Sequence, residues 1–245
     1  MYFLPKEKRK VIPTPQVIFE DDDLLVINKP AGWVVNIADS SRGLATVQKW
    51  LIDSFNYPLA QSWELRSGIV HRLDKDTSGV LVVAKNEKAF LFLQGEFKER
   101  RVEKQYLALV HGKVTGGGEI DQPISRNPGN RRKFGVFPGG RASVTRYKVL
   151  QNFDVTGGAY TLVACYPKTG RTHQIRVHLR HLGHSLVGDR VYAERKMVKK
   201  DFGLTDRIFL HAEKITFSHP ATGKKITFEA PLSHDLEEVI NKLRA

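Results

Sequence analysis

The chain of 245 residues has one cysteine, Cys165, so it can form neither an internal disulfide nor a multi-cysteine zinc site. That scarcity fits a reducing compartment. No apolar run approaches the roughly 18 to 20 residues needed to cross a bilayer. The opening segment Met1–Lys10 carries four cations and no apolar stretch, which excludes a secretory signal. Internal repeats are absent, as is any long amphipathic helix with an apolar face suited to a membrane surface. These absences predict a soluble, cytoplasmic protein without membrane contact. Acidic residues are also short: 26 Asp and Glu face 39 Lys and Arg, a net charge of +13. An excess of that size attracts polyanions, and nucleic acid is the partner it points to. Between residues 98 and 148, 12 cations oppose four anions.

What is present describes a folded chain. Hydrophobic residues make up 41% of the sequence, enough to bury a core. Residues 1–15 are polar, basic and broken by Pro5, Pro13 and Pro15, and read as an N-terminal tail. Residues 16–245 read as one catalytic domain. Short β-branched runs recur at 17–19, 24–28, 80–84, 106–111, 143–150, 160–166, 208–217 and 225–229. Helical periodicity marks 44–55, 87–100, 172–182 and 234–244. Strands spaced this closely predict an α+β fold with a mixed, largely antiparallel central sheet flanked by helices. The stretches 125–142 and 187–207 show no periodicity and read as functional loops.

Three constellations carry the chemistry. In Gly68-Ile-Val-His-Arg-Leu-Asp-Lys-Asp-Thr-Ser-Gly79, a dense polar run opens onto the apolar strand at 80–84. Arg72 and Asp74 share one face if that run is extended. It reads equally as a turn whose aspartates cap backbone N–H groups or as the edge of a catalytic cleft. The order His-Arg-Leu-Asp, with no glycine-rich loop ahead of it, excludes a protein kinase. In Gly170–His184, Thr172 is the expected N-cap and Gly183 the expected stop, with Ile175, Leu179 and Leu182 as a buried stripe. His173, Arg176 and Arg180 form a cationic stripe that needs an anion. His178 and His181 have ligand-like spacing, but neighbouring arginines and missing acids exclude a metal. In Lys104–Gly112, Tyr106 shares a face with Ala108 and Val110 and is either a core residue or a platform for a base. The segment 126–141 adds Arg126, Arg131, Arg132, Lys133 and Arg141, interleaved with Phe134 and Phe137, as a mobile arm for RNA backbone and bases. The cations of 187–207 are further candidates for phosphate contacts.

At these residues the chain resembles the RluA-like pseudouridine synthases. The matching stretches are Phe19–Gly32, Gly68–Asn86, Lys104–Gly112, Gly170–Tyr192 and Leu210-His-Ala through Glu229-Ala-Pro231. The paired motifs His-Arg-Leu-Asp-x-x-Thr-Ser-Gly and Gly-Arg-Thr-His-Gln-Ile-Arg-Val-His are the most specific. The resemblance implies an enzyme that isomerises uridines in structured rRNA or tRNA within a basic RNA-binding cleft. It assigns Asp74 as the catalytic aspartate, Tyr106 as the residue packing on the target base, and Arg176 as the partner of the aspartate. Arg72 matches an arginine that fills the space left by a flipped nucleotide. His71, Arg171, His173 and Arg180 accompany these as RNA-binding residues. Asn36 stands where many members have His-Pro, and the short tail leaves no room for the S4 RNA-binding domain of several relatives.

Such an isomerisation breaks C1′–N1, turns the base and joins C5 to C1′; it requires no metal, nucleotide or redox cofactor. A carboxylate can capture charge at C1′, add to the base or take a sugar proton, and the residues leave these routes open. Tyr106 is a candidate for the base that removes the C5 proton, or for packing alone. The rival readings are a catalytically silent RNA-binding or ribosome-assembly protein, and a glycoside hydrolase, for which a second carboxylate is missing. The self-repelling charge predicts a monomer.

Overall fold

The computed structural model describes residues 13–245, so the expected tail lies outside the described residues except for Pro13–Pro15. There the Trp33 indole N–H donates to the Pro13 carbonyl at 2.8 Å. The elements run β1 (Gln16–Glu20), β2 (Leu24–Lys29), α1 (Val47–Ser54), β3 (Ser78–Ala84), α2 (Glu87–Lys98), β4 (Glu103–His111), β5 (Gly118–Asp121), β6 (Ile124–Asn127) and β7 (Asn130–Val136). They continue with β8 (Val144–Val155), β9 (Gly158–Pro167), α3 (Gln174–His181), α4 (Arg195–Asp201), β10 (Leu210–Ser218), β11 (Lys225–Glu229) and α5 (His234–Arg244).

The α+β expectation holds. One sheet runs β1-β2-β3-β10-β4-β9-β8-β5, with β11 paired to β10. Its pairs are antiparallel except β3 with β10. Every residue of β3 is buried, as the apolar run 80–84 requires of a central strand covered on both faces. The helices carry the expected local signals. Asn86 accepts the Ala89 N–H as the N-cap of α2, with Glu87 in the first turn and Lys98 in the last. In α5, Leu236, Val239, Ile240 and Leu243 form the buried stripe at helical spacing. None of the described helices is long and apolar enough to cross a membrane.

The two stretches read as loops are partly regular. Residues 124–136 form the hairpin β6–β7, closed by Asn127-Pro-Gly-Asn130, where the Asn127 side chain accepts the N–H groups of Gly129 and Asn130. Segment 187–207 contains α4. The stop of α3 at Gly183 is as expected, with φ +89°, but Leu182 is exposed because the helix ends at His181. The N-cap of α3 is His173 rather than Thr172, and it sits at φ 56° in the left-handed region. A non-glycine residue there is strained, which marks a place where the surrounding structure dictates the backbone.

The parallel β3–β10 contact sets the entrance to β3. Gly79 has φ +116°, and a Cβ on it would lie 2.1 Å from the Ala212 carbonyl oxygen. The polar turn before it is therefore drawn against β10 and held at the open ends of the central strands.

Candidate active site

A cleft of about 460 Å³ opens where the 70–77 turn, the start of β4, the end of β9 and the start of α3 converge. Asp74, Tyr106 and Arg176 all line it, as do His71, Arg72, Arg171 and His173. The sequence-predicted catalytic trio, spread over 102 residues between Asp74 and Arg176, is thus brought to one cleft. Among the described residues, seven Lys and Arg side chains border the cleft, against a single carboxylate, Asp74.

Asp74 is held from both sides. Its Oδ2 lies 3.4 Å from Arg176 Nη1 and 3.8 Å from His173 Nε2. The Asp74 backbone carbonyl accepts the Thr77 N–H, which closes the turn. Beneath it, the fully buried Lys29 donates from Nζ to the carbonyls of Pro30, Trp33 and Lys75 at 3.0, 3.0 and 3.2 Å. Burial pushes this amine down to about 7. Lys29 therefore ties the 70–77 turn to the end of β2. The Ser78 hydroxyl bonds His211 Nδ1 at 2.9 Å and accepts from Arg207 Nη2 at 3.1 Å. Arg207 also grips Asp235 and the Asp76 carbonyl. This cation of 187–207 is committed inside the fold rather than free for phosphate.

Arg176 differs from the simple expectation. It reaches Asp74 with one nitrogen, but its bidentate partner is Asp189, at 2.8 and 2.9 Å from Nε and Nη2. Burial lowers the affinity of the guanidinium for its proton, but the Asp189 bonds and charge reverse this, so its pKa is raised. Asp189 is 1% exposed and also accepts the N–H groups of Val191 and Tyr192. Gly188 delivers it: at φ +74°, a Cβ there would lie 2.0 Å from the Arg207 carbonyl oxygen. The sequence reading missed Asp189 because it lies past the end of α3, where no helical period links it to Arg176. The matching stretch Gly170–Tyr192 contained it, and the orphan charge on α3 was the signal to look for it.

A second tier orders His173. The Tyr192 hydroxyl is 2.8 Å from His173 Nδ1 and accepts the Phe134 N–H at 3.0 Å, and the Arg176 guanidinium sits 4.9 Å above the Tyr192 ring. Burial lowers the pKa of His173, with Asp74 acting against that trend. A neutral ring that accepts Tyr192 at Nδ1 presents its Nε2–H to Asp74. Tyr106, next to Asp74 in the cleft, has its phenol pKa raised, first by burial and then by the Asp74 charge. Both effects favour the protonated phenol near neutral pH.

The remaining RNA-binding expectations divide. His71 is not a cation: its Nε2 accepts the Val82 N–H at 2.9 Å, its ring stacks on Phe97, and burial with the nearby Lys104 pushes it down to about 3. Arg72 is exposed at the cleft. Arg126, Arg131 and Lys133 ride on the β6–β7 hairpin with Arg141 just beyond it, and the side chain of Arg132 lies outside the described residues. Arg126 packs 5.2 Å above the Phe134 ring. Arg180 lies with Phe134 and Phe137 along a neighbouring groove rather than in the main cleft. Both nitrogens of His178 are taken, by Thr145 Oγ1 and the Gln122 carbonyl.

Comparison with known proteins agrees with this geometry. Residues 23–181 match the family model described as RNA pseudouridylate synthase. An uncharacterized RNA pseudouridine synthase of Bacillus subtilis is 41% identical over 93% of this chain and 72% of its own length. The ribosomal large subunit pseudouridine synthase D of Pasteurella multocida is 39% identical over 94% of this chain and 71% of its own. Among solved structures, human RNA pseudouridylate synthase domain containing 1 superposes with a TM-score of 0.71 at 30% identity, covering 94% of this chain and 95% of that one. The cleft, its lone carboxylate and these relatives lead to one conclusion: the chain belongs to the RNA pseudouridylate synthase family, isomerases that convert uridine in RNA to pseudouridine.

Proposed function

We propose that Asp74 is the residue that reacts with the target nucleoside, in a large-subunit ribosomal RNA. The observation that carries the reading is that Asp74 is, among the described residues, the one carboxylate bordering a cleft that seven Lys and Arg side chains also border, with its Oδ2 facing Arg176. Capture of C1′, addition to the base and removal of a sugar proton all need a charged oxygen within reach of the nucleoside. The Arg176 guanidinium, anchored by Asp189, fixes that oxygen and offsets its charge. Tyr106 supplies a neutral ring for the extruded uracil to pack on. Arg72, at the rim, fills the gap the base leaves in the RNA, and extrusion costs a few kcal/mol that basic contacts and stacking offset. Asp189 does not make a glycosidase pair with Asp74, because both its oxygens are engaged by Arg176. The large-subunit substrate is drawn from the name of the Pasteurella relative.

The test is tritium release from RNA transcripts carrying [5-³H]uridine. Wild type releases tritium from a large-subunit rRNA transcript, and Asp74→Ala abolishes release while RNA affinity stays within about threefold. Release from transfer RNA alone would reassign the substrate. Full activity of Asp74→Ala would remove Asp74 from the chemistry.

A further inference from the structure

Lys104 opens the inner face of β4 two residues before Tyr106, and like Tyr106 it lines the cleft. The Tyr106–Cys165 register of β4 against β9 brings the start of β4 beside the end of β9, where the chain continues into Lys168–Arg171. The Lys104 ammonium is half-buried and has no hydrogen-bond or ion-pair partner among the described residues. Burial alone lowers it, to about 8. Arg171 shares this condition: its Nε is buried without an acceptor, while its backbone N–H is used by Gln174.

Among the described residues bordering the cleft the one acid is Asp74, which faces Arg176 and His173; the other titratable groups near Lys104 are neutral or positive. His71 is neutral and Tyr106 is a protonated phenol. Lys98 and Arg100 border the cleft from the end of α2, and Lys168, just past β9, is already paired with Glu119 at 3.0 Å. A partly buried cation without a counter-charge is unfavourable in the free protein, so two such groups bordering one cleft call for an anion from outside. Resting on the reading of this cleft as the RNA site, we propose that Lys104 and Arg171 form a phosphate-binding site that takes a backbone phosphate beside the target uridine. The ammonium supplies a point charge and the guanidinium a directional donor.

The experiment compares wild type, Lys104→Met and Lys104→Arg on a tritiated large-subunit rRNA transcript, with filter binding of the same RNA across a salt series. Lys104→Met is expected to raise KM at least about tenfold with kcat within about threefold, and to reduce the slope of log affinity against log salt by about one. Lys104→Arg stays near wild type. Wild-type KM climbs above pH 8 as Lys104 loses its proton, and the arginine variant shows no such rise. Added inorganic phosphate weakens RNA binding by wild type more than matched chloride does, and by Lys104→Met no more than chloride. An unchanged KM and salt slope in Lys104→Met, a fall in kcat alone, or equal phosphate sensitivity would each overturn the site. If wild type released no tritium, the enzyme reading would fail, and the filter-binding slope would still decide the phosphate site.

Discussion

The floor and the wall of the cleft treat positive charge in opposite ways. On the floor, Arg176 is closed in a bidentate pair with the buried Asp189 and touches Asp74, so its position is fixed before substrate arrives. On the wall, Lys104 and the Arg171 Nε have no acidic partner among the described residues. Paired charge gives geometry, and unpaired charge gives affinity for a polyanion at the expense of stability. The same division separates Arg207, bound to Asp235 and Ser78, from the exposed arginines of the β6–β7 hairpin.

The sharpest way to break the contrast is to strip the floor of its anchor. Asp189→Ala removes the bidentate partner of the buried Arg176 guanidinium and leaves it only the single Asp74 contact, which costs about 3 to 5 kcal/mol of stability. Denaturant unfolding should show that loss, and tritium release should fall with it. A cost below 1 kcal/mol would mean that Asp189 does not anchor Arg176. Next in size is the Tyr192 hydroxyl. Tyr192→Phe removes the partner of His173 and leaves the Phe134 N–H unmet, for about 1 to 2 kcal/mol by thermal unfolding.

The wall predicts the reverse sign. Folding lowers the Lys104 pKa from 10.5 to about 8, so below pH 8 the folded state carries the full cost of an unpaired charge. Between pH 8 and 10.5 the folded protein sheds that proton before the unfolded chain does, and the cost shrinks. Lys104→Met should therefore be more stable than wild type by about 1 kcal/mol at pH 7, with the lead vanishing towards pH 10.5. A variant less stable at pH 7 would show that Lys104 is part of the packing instead. The smallest effect belongs to the exposed Arg146–Glu119 pair, whose removal should change stability by less than 1 kcal/mol.

Floor and wall differ as well in how far the amino-acid sequence reveals them. The eight β-branched runs and four periodic segments each became a strand or a helix, because burial imposes a period on them. Helix α4 escaped because Arg195-Lys-Met-Val-Lys-Lys-Asp is polar on nearly every side. Its buried residue is the charged Asp201, tied to His111 and the Gly188 N–H. The β6–β7 hairpin was hidden by its cations, although its Pro-Gly turn was in plain view. In the site, the resemblance named Asp74, Tyr106 and Arg176, and all three border one cleft. Lys29, Asp189 and Lys104 were not singled out. Their roles come from contacts made or missing across the fold, which no local spacing expresses. His71 shows the converse: its place close to Asp74 in the chain suggested an RNA contact, while its Nε2 serves the backbone of β3.

The central claim is that the Asp74 oxygen, set by Arg176, does the chemistry while the surrounding cations hold the RNA. Single-turnover tritium release by Asp74→Asn at saturating rRNA transcript tests it most directly, since the amide keeps the shape and removes the charge. The expected rate is at least about a thousandfold below wild type with the same dissociation constant. A rate within tenfold of wild type would contradict it.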